Sequence, residues 1–403
     1  MSFLDVCVGR VGFCLFYVRK PGFLTAPGYS FTKILTTLTS TISDVVAEHS
    51  LHVLVTGGAG YIGSHAALFL LENGYHVTAL DNLSRGNVGA IHVLQQIAIP
   101  GRFNFIKTDL SDLEDLHSVF SKNTFDVVMH FAGFAYVGES MEEPLMYFQQ
   151  NTGNVVNLLD AMRVHNVNKF IYSSTCATYG DHDEMPITEE TVQVPVNPYG
   201  RSKKLAEEII KDYSDSNPQF SAAILRYFNV IGSDPQGRLG ESPLPQYRKF
   251  GRITGACIDA TLGRRDSIKI FGSNFPTRDG TCVRDYVHVS DLVDAHLAAL
   301  KQLRPGAVQI FNVGTGKGVS VREFIAAWIK VTGKQIKVEV HKEKRPGDYS
   351  EVYCNPSKIE EELKWKAKFT NLEDSLATAW NWHKAHPNGY AVADEISNGK
   401  QNL

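Results

Sequence analysis

The chain has 403 residues, 43% of them hydrophobic and 21% charged, with a formal net charge of −3. This is the balance of a globular protein with room for two domains, and it sets aside nucleic acid and anionic membranes as partners. Cys7, Cys14, Cys176, Cys257, Cys282 and Cys354 are scattered without a C-x-x-C pair, so they read as free thiols, and no ligand spacing asks for a metal.

Residues 1–50 differ from the rest of the chain. Residues 11–18 are apolar but far shorter than the ~20 residues of a bilayer span. Arg10, Arg19, Lys20 and Lys33 stand against Asp5 as the only acid before Asp44, and residues 36–41 are rich in hydroxyls. An unstructured extension or a mis-called start is expected, with an organelle-transit segment as the alternative. The expected location is cytoplasmic, with organelle targeting left open.

From residue 52 strand and helix patterns alternate. An apolar run at 53–55 leads into Gly57, Gly60 and Gly63 and then a helical pattern over 64–73. Strand, glycine turn and helix in that order form a dinucleotide fingerprint. Gly57 serves the tight turn, Gly60 the approach of a pyrophosphate, and Gly63 close helix–strand packing. The free N–H groups of the helix start favour phosphate.

A second strand over 76–81 ends in Asp81, placed to bond ribose hydroxyls and to disfavour a 2′-phosphate, which selects NAD. Arg85, four residues on, could receive that phosphate and keeps NADP open. A third strand at 104–107 brings Asp109 and Leu110 to the adenine. A fourth at 127–130 runs into Phe131, Ala132 and Gly133, where small residues let the cofactor approach the backbone. A long amphipathic helix over 144–165 turns Asn151 toward the strand ends.

The strand at 169–175 delivers Ser173, Ser174 and Thr175 at its carboxyl end, where open α/β sheets carry their ligand crevice. Capping of the next turn is the competing reading for Ser173 and Ser174. Asn197 opens the next helix, and Tyr199 and Lys203 share one of its faces. Beyond a strand at 222–227, residues 229–245 are rich in Gly and Pro and read as loop. Arg264, Arg265 and Arg345 follow in a second lobe, with the side chain suited to phosphate. A strand at 285–289 and a helix at 291–301 are expected to return to the large domain.

The expected fold is thus a Rossmann-type doubly wound parallel α/β sheet with a second, smaller α/β substrate-binding lobe. Its expected parts are an extension at 1–50 and a dinucleotide domain at 51–230 with a return segment near 283–301. A lobe at 231–390 and a polar tail at 391–403 complete it.

Several stretches together resemble the extended short-chain dehydrogenases/reductases. They are residues 56–65 (TGGAGYIGSH), 81–84 (DNLS), 137–140 (VGES), 173–175 (SST), 199–203 (YGRSK), 227–229 (YFN) and 279–286 (DGTCVRDY). Within that family the chain is similar to UDP-glucose 4-epimerases, and in detail to plant UDP-arabinose (UDP-xylose) 4-epimerases. The resemblance implies an NAD site made by Gly57, Gly60, Tyr61, Ile62, Gly63, Asp81, Asn82, Asp109, Leu110, Phe131, Ala132, Gly133, Asn151, Ser173, Tyr199, Lys203 and Tyr227. It implies a UDP-sugar site of Asn229, Phe271, Arg265, Arg345 and Asp348, with Thr175 and Tyr199 at the sugar C4. It also implies a homodimer.

Two positions depart from many relatives. Ala135 stands where bacterial epimerases carry a lysine on the nicotinamide ribose. Val352, counted from the 345–348 motif (RPGD), stands where some carry a bulky Tyr, and is expected to leave the sugar pocket wide.

The implied chemistry makes Tyr199 the base, its pKa brought down from about 10 by the Lys203 ammonium and the positive nicotinamide. C4 gives up a hydride, the 4-keto sugar turns, and the hydride returns to its other face. The expected reaction is UDP-glucose to UDP-galactose, with UDP-arabinose/UDP-xylose 4-epimerisation as the alternative. A dehydratase or decarboxylase would place an acid after Thr175, where Cys176 and Ala177 stand. A non-catalytic NAD sensor would have lost Tyr199 or Lys203.

Overall fold

Seven of the apolar runs pair side by side in one parallel sheet in the computed structural model, which describes residues 51–390. The readings of residues 1–50 and 391–403 lie outside the described residues. The first six strands are β1 (His52–Thr56), β2 (His76–Asp81), β3 (Phe103–Lys107), β4 (Val127–His130), β5 (Lys169–Thr175) and β6 (Ser221–Tyr227). Three more, β7 (Asn229–Ile231), β8 (Ile268–Phe271) and β9 (Val283–His288), belong to smaller sheets, and β10 (Val308–Val313) rejoins the large one. The large sheet has the order β10-β6-β5-β4-β1-β2-β3 with every pair parallel. Strand order reverses between β1 and β4, and at such a switch point the carboxyl ends open a crevice.

Helices cover both faces. The first nine helices of the described residues, of which α8 belongs to the smaller lobe, are α1 (Tyr61–Glu72), α2 (Val88–Ile97), α3 (Leu113–Lys122), α4 (Val137–Glu142), α5 (Pro144–Phe148), α6 (Asn154–Val164), α7 (Pro198–Ser216), α8 (Ile253–Thr261) and α9 (Val289–Lys301). Successive residues of a strand point to opposite faces, and the core divides accordingly. Val53, Val55, Ala79, Met129 and Ile171 meet Ala67 and Leu70 of α1 and Leu292, Ala295 and Ala299 of α9. Leu54, Val128, Phe170 and Tyr172 meet Leu116 of α3, Val155 and Leu158 of α6, and Ala206 and Ile210 of α7. Burial on both faces explains why these strands read as unbroken apolar runs. A separate core of Ile258, Ile268, Ile270, Tyr286, Phe324 and Trp328 holds the smaller lobe.

Four elements differ from the sequence expectation. The helix expected over 144–165 is broken by a π-helical turn, Gln149–Gly153. Its cause is tertiary: the Asn151 side chain accepts from Phe134 N (2.7 Å) and donates to Phe134 O (3.0 Å) and Ser202 Oγ (3.0 Å), and an extra residue in the turn aims it there. Residues 229–231, expected as loop, form β7, which pairs with β9 one residue after β6 ends. β9 therefore hydrogen-bonds within a smaller sheet, while its Val287 and α9 share the core of the large one. β10, expected within the lobe, instead extends the large sheet beside β6. Among the described residues no helix is long and apolar enough to cross a membrane.

Candidate active site

A cavity of about 900 Å³ opens at the carboxyl ends of the large sheet and continues into the smaller lobe. Most of the expected site residues meet on its wall. Gly57, Gly60, Tyr61, Ile62, Gly63, Asp81, Asn82, Asp109, Leu110, Phe131, Ala132 and Gly133 line one end. Thr175, Tyr199 and Tyr227 line the middle, and Asn229, Arg265, Phe271, Arg345 and Asp348 the other end. Asn151, Ser173, Lys203 and Val352 do not line it; all four are buried behind the wall.

The glycine end is built for close approach. Gly57 has φ +71°, and a Cβ there would lie 2.6 Å from Ala132 N, so this turn tolerates glycine alone. A Cβ at Gly63 would sit 2.1 Å from the Gly57 carbonyl oxygen, which seats α1 directly on the turn. No side chain caps α1 and no acid stands in its first turn, so its positive end is left to the cavity.

The strand ends beside it are also prepared. Asp81 accepts from Ala59 N (3.1 Å) and Leu83 N (2.8 Å). Burial still raises its pKa, with those two N–H groups pulling the other way. Asn82 donates to Asp109 (2.7 Å). Burial would raise the Asp109 carboxyl, but hydrogen bonds from Ser111 and Asn82 outweigh it and hold it low. Arg85 is not free to take a phosphate: its guanidinium pairs with Glu139 through two bonds of 2.6 and 2.9 Å.

In the middle, α7 supplies the reactive face. Asn197 caps it by accepting from Gly200 N (2.8 Å), and Pro198 fits its first turn. Tyr199, Lys203 and Glu207 then follow at helical spacing along its buried side. Tyr199 shares a side-chain hydrogen bond with Thr175. Thr175 Oγ1 also accepts from Ala177 N (3.1 Å), so it is Thr175 that caps the following turn. Ser173 and Ser174 turn inward instead, to His296 (3.1 Å) and to Glu207.

The electrostatics differ from the expectation for Tyr199. Burial pushes its phenol well up, Tyr227 adds to this, and the groups that pull it down are Thr175 and Arg252. The Lys203 ammonium, one turn along the helix, also donates from Nζ to the Ser173 carbonyl (3.0 Å). Burial lowers the Lys203 pKa to about 8, opposed by Glu207.

At the far end Arg345 pairs with Asp348 (3.0 Å), and its guanidinium lies 5.4 Å from the centre of the Phe271 ring. Val352 does not widen this end. It sits on the short strand Glu351–Val352 beside β9 and packs, fully buried, with Cys176, Tyr179, Phe228 and Tyr349. The wall position is taken by Tyr349, three residues earlier in the chain.

The GDP-mannose 4,6 dehydratase family matches residues 54–377. UDP-arabinose 4-epimerase 1 of Arabidopsis thaliana is 58% identical over 342 residues, 85% of this chain and 81% of that protein. UDP-glucose 4-epimerase 4 of Oryza sativa subsp. japonica is 42% identical over 369 residues, 90% of this chain and 97% of its own. The crystal structure of UDP-glucose 4-epimerase from Bifidobacterium longum in complex with NAD+ and UDP superposes with a TM-score of 0.80. It is 38% identical and covers 84% of this chain and 100% of that one.

The chain belongs to the UDP-sugar 4-epimerases. It is an isomerase of the extended short-chain dehydrogenase/reductase family, as its motifs imply. Two arginines of this epimerase were not expected at the site. Arg284 lines the cavity, and its guanidinium donates to the carbonyls of Val283 and Tyr349 (both 2.8 Å). Its hydrogen bonds go to neutral carbonyls, which leaves its charge for an anion. The 279–286 motif contains it, and that membership is the signal that could have found it. Arg252 lines the cavity at the start of α8 and pairs with Glu241; nothing in its local sequence marks it.

Proposed function

We propose that the protein interconverts UDP-arabinose and UDP-xylose at C4 of the sugar, with NAD as its bound cofactor. The observation that carries the sugar is the identity gap: 58% to the UDP-arabinose enzyme against 42% to the UDP-glucose enzyme over similar spans. The hexose pair, the first expectation from the sequence, has the weaker support.

The glycine end suits a dinucleotide on its own terms. The left-handed Gly57, the uncapped start of α1 and the carboxylate of Asp81 offer a turn, an anion site and a ribose acceptor in one row. NAD placed there supplies a hydride acceptor that gives the hydride back, so there is no net oxidation.

The chain's own groups do the rest. Tyr199 takes the proton from the sugar 4-hydroxyl and returns it, and Thr175 holds that oxygen in line through the hydroxyl it shares with Tyr199. Lys203, an ammonium below its pKa of about 8, stands behind Gly133, 3.4 Å from where a Cβ would be, and steadies the ribose side. Arg284, whose bonds go to neutral carbonyls, holds the diphosphate, so that the sugar can turn without leaving.

Two expected results test this reading. Purified protein given each UDP-sugar should turn over the pentose pair about 10 to 200 times better in kcat/KM than the hexose pair, the discrimination one hydroxymethyl group allows. Turnover of the hexose pair alone would overturn the assignment. NAD should bind about tenfold or more tighter than NADP in a fluorescence titration, since Asp81 faces the ribose and Arg85 is committed to Glu139. Equal affinities would contradict it.

A further inference from the structure

One group of side chains crosses the mouth of the cavity and has no part in the chemistry above. The Arg85 guanidinium lies 3.5 Å from the centre of the Phe134 ring and 4.4 Å from that of Tyr247, sandwiched between the two. Its two bonds to Glu139 complete the arrangement, and the Tyr147 hydroxyl lies 2.7 Å from the same carboxylate. Beside it Tyr136 stacks on Phe250, with ring centres 6.3 Å apart and planes 26° from parallel. The side chains of Arg85 and Glu139 are 16% and 7% exposed, so the pair is largely out of water.

The origins of these residues give the group its meaning. Arg85 comes from the loop that follows Asp81 at the end of β2 and begins at Asn82. Phe134 and Tyr136 follow β4, and Glu139 lies on α4. Tyr247 and Phe250 belong to the turn Pro245–Phe250, which leads into the smaller lobe. Arg85, Tyr136 and Phe250 all line the cavity. The group therefore joins the ribose-side loop to the opposite wall. Ala135, exposed between Phe134 and Tyr136, offers no polar side chain to a ligand.

We propose that Arg85 is a clasp that retains the bound dinucleotide, by tying the ribose-side loop to α4 and to the 245–250 turn. The proposal rests on the reading of NAD as cofactor. For the dinucleotide to leave, the loop must swing out. That motion pulls a planar cation from between two rings and breaks a bidentate pair in a place poor in water, where both interactions are strong. The same pairing withholds the guanidinium from any phosphate on the ribose. Lysine would not replace it, since an ammonium neither stacks nor bonds a carboxylate bidentately.

Two variants of the full-length protein test the clasp, Arg85→Lys and Tyr247→Ala. The second removes one ring of the sandwich without stranding a charge, so it decides the matter should the first fold poorly. NAD release is followed in stopped flow by chasing bound NAD with excess fluorescent etheno-NAD, with UDP affinity and the melting temperature of the cofactor-free protein measured alongside. Arg85→Lys should speed release about tenfold or more and Tyr247→Ala severalfold, with UDP affinity unchanged. Release within about twofold of the unmodified protein in both variants would overturn the clasp. So would a fall in melting temperature with release unaltered, since that marks a purely structural pair. Failure of the unmodified protein to bind NAD would instead overturn the cofactor reading.

Discussion

Tyr199→Phe should leave the fold and the bound dinucleotide intact while kcat for the UDP-sugar falls by about two to four orders of magnitude, the range of a lost general base. The substitution removes one oxygen. The ring keeps its edge-on contact with Tyr147 at 6.3 Å and its place beside Ala177 and Phe134. The freed Thr175 hydroxyl still accepts from Ala177 N, so no buried group is stranded. The loss should fall on kcat with little change in KM, because the proton is transferred only in the transition state. Bound NAD, read by absorbance after denaturation, should stay at the level of the unmodified protein. Turnover within a few-fold of normal would show that Tyr199 is not the base.

The second large effect concerns acid. His65, His130, His288, His296 and His383 are all buried, and desolvation lowers each to a pKa of about 3 to 4. The geometry fits neutral rings. His65 donates from Nδ1 to the Tyr61 carbonyl (2.7 Å) and accepts at Nε2 from Asp234 N (3.1 Å), so a second proton would set two N–H groups against each other. His296 likewise bonds the Leu292 carbonyl (2.8 Å) at Nδ1 and Ser173 Oγ (3.1 Å) at Nε2.

The unfolded chain takes up a proton at each histidine near pH 6.5, whereas the folded chain does so only near 3 to 4. Between those values the unfolded state binds more protons, so stability falls as the pH falls. At pH 5 each ring contributes up to about 2 kcal/mol of this loss, and five together on the order of 10 kcal/mol, comparable to the whole stability of a domain. Asp81, Asp285, Asp291 and Glu189, whose pKa values burial raises, oppose it in part as they take up protons in the folded chain. The melting temperature should therefore be level above about pH 7.5, begin to fall near pH 6.5 and drop steeply toward about pH 5. A flat profile down to that pH would contradict the neutral burial of these rings.

The features legible in the sequence are the local ones. β2, β4 and β5 fall within the expected residues because strands buried on both faces are unbroken apolar runs bounded by turns. The glycine turn is legible because Gly57 and Gly63 answer steric demands that any other residue would fail. Asn151 faces inward as expected, but the π-helical turn beneath it depends on Phe134 and Ser202, which lie far away in sequence. The same holds for Tyr349: spacing from Asp348 points to Val352, while pairing with β9 decides which side chain meets the cavity. For Tyr199 the residue is legible and its environment is not. Helical spacing puts Lys203 on its face, but only the fold shows that the ammonium also bonds a strand carbonyl.

The single residue between β6 and β7 has a bearing on how a sugar can be inverted. β6 ends at Tyr227 on the wall near Thr175, and β7 begins at Asn229, which faces the far end of the cavity. Phe228 between them is buried and donates its N–H to the Val313 carbonyl (3.2 Å). That leaves no slack for a hinge at this crossing, so the two ends of the cavity behave as fixed points on one ruler. Exposing both faces of C4 to the same reacting groups must then come from torsions of the ligand between its anchored nucleotide and its free ring.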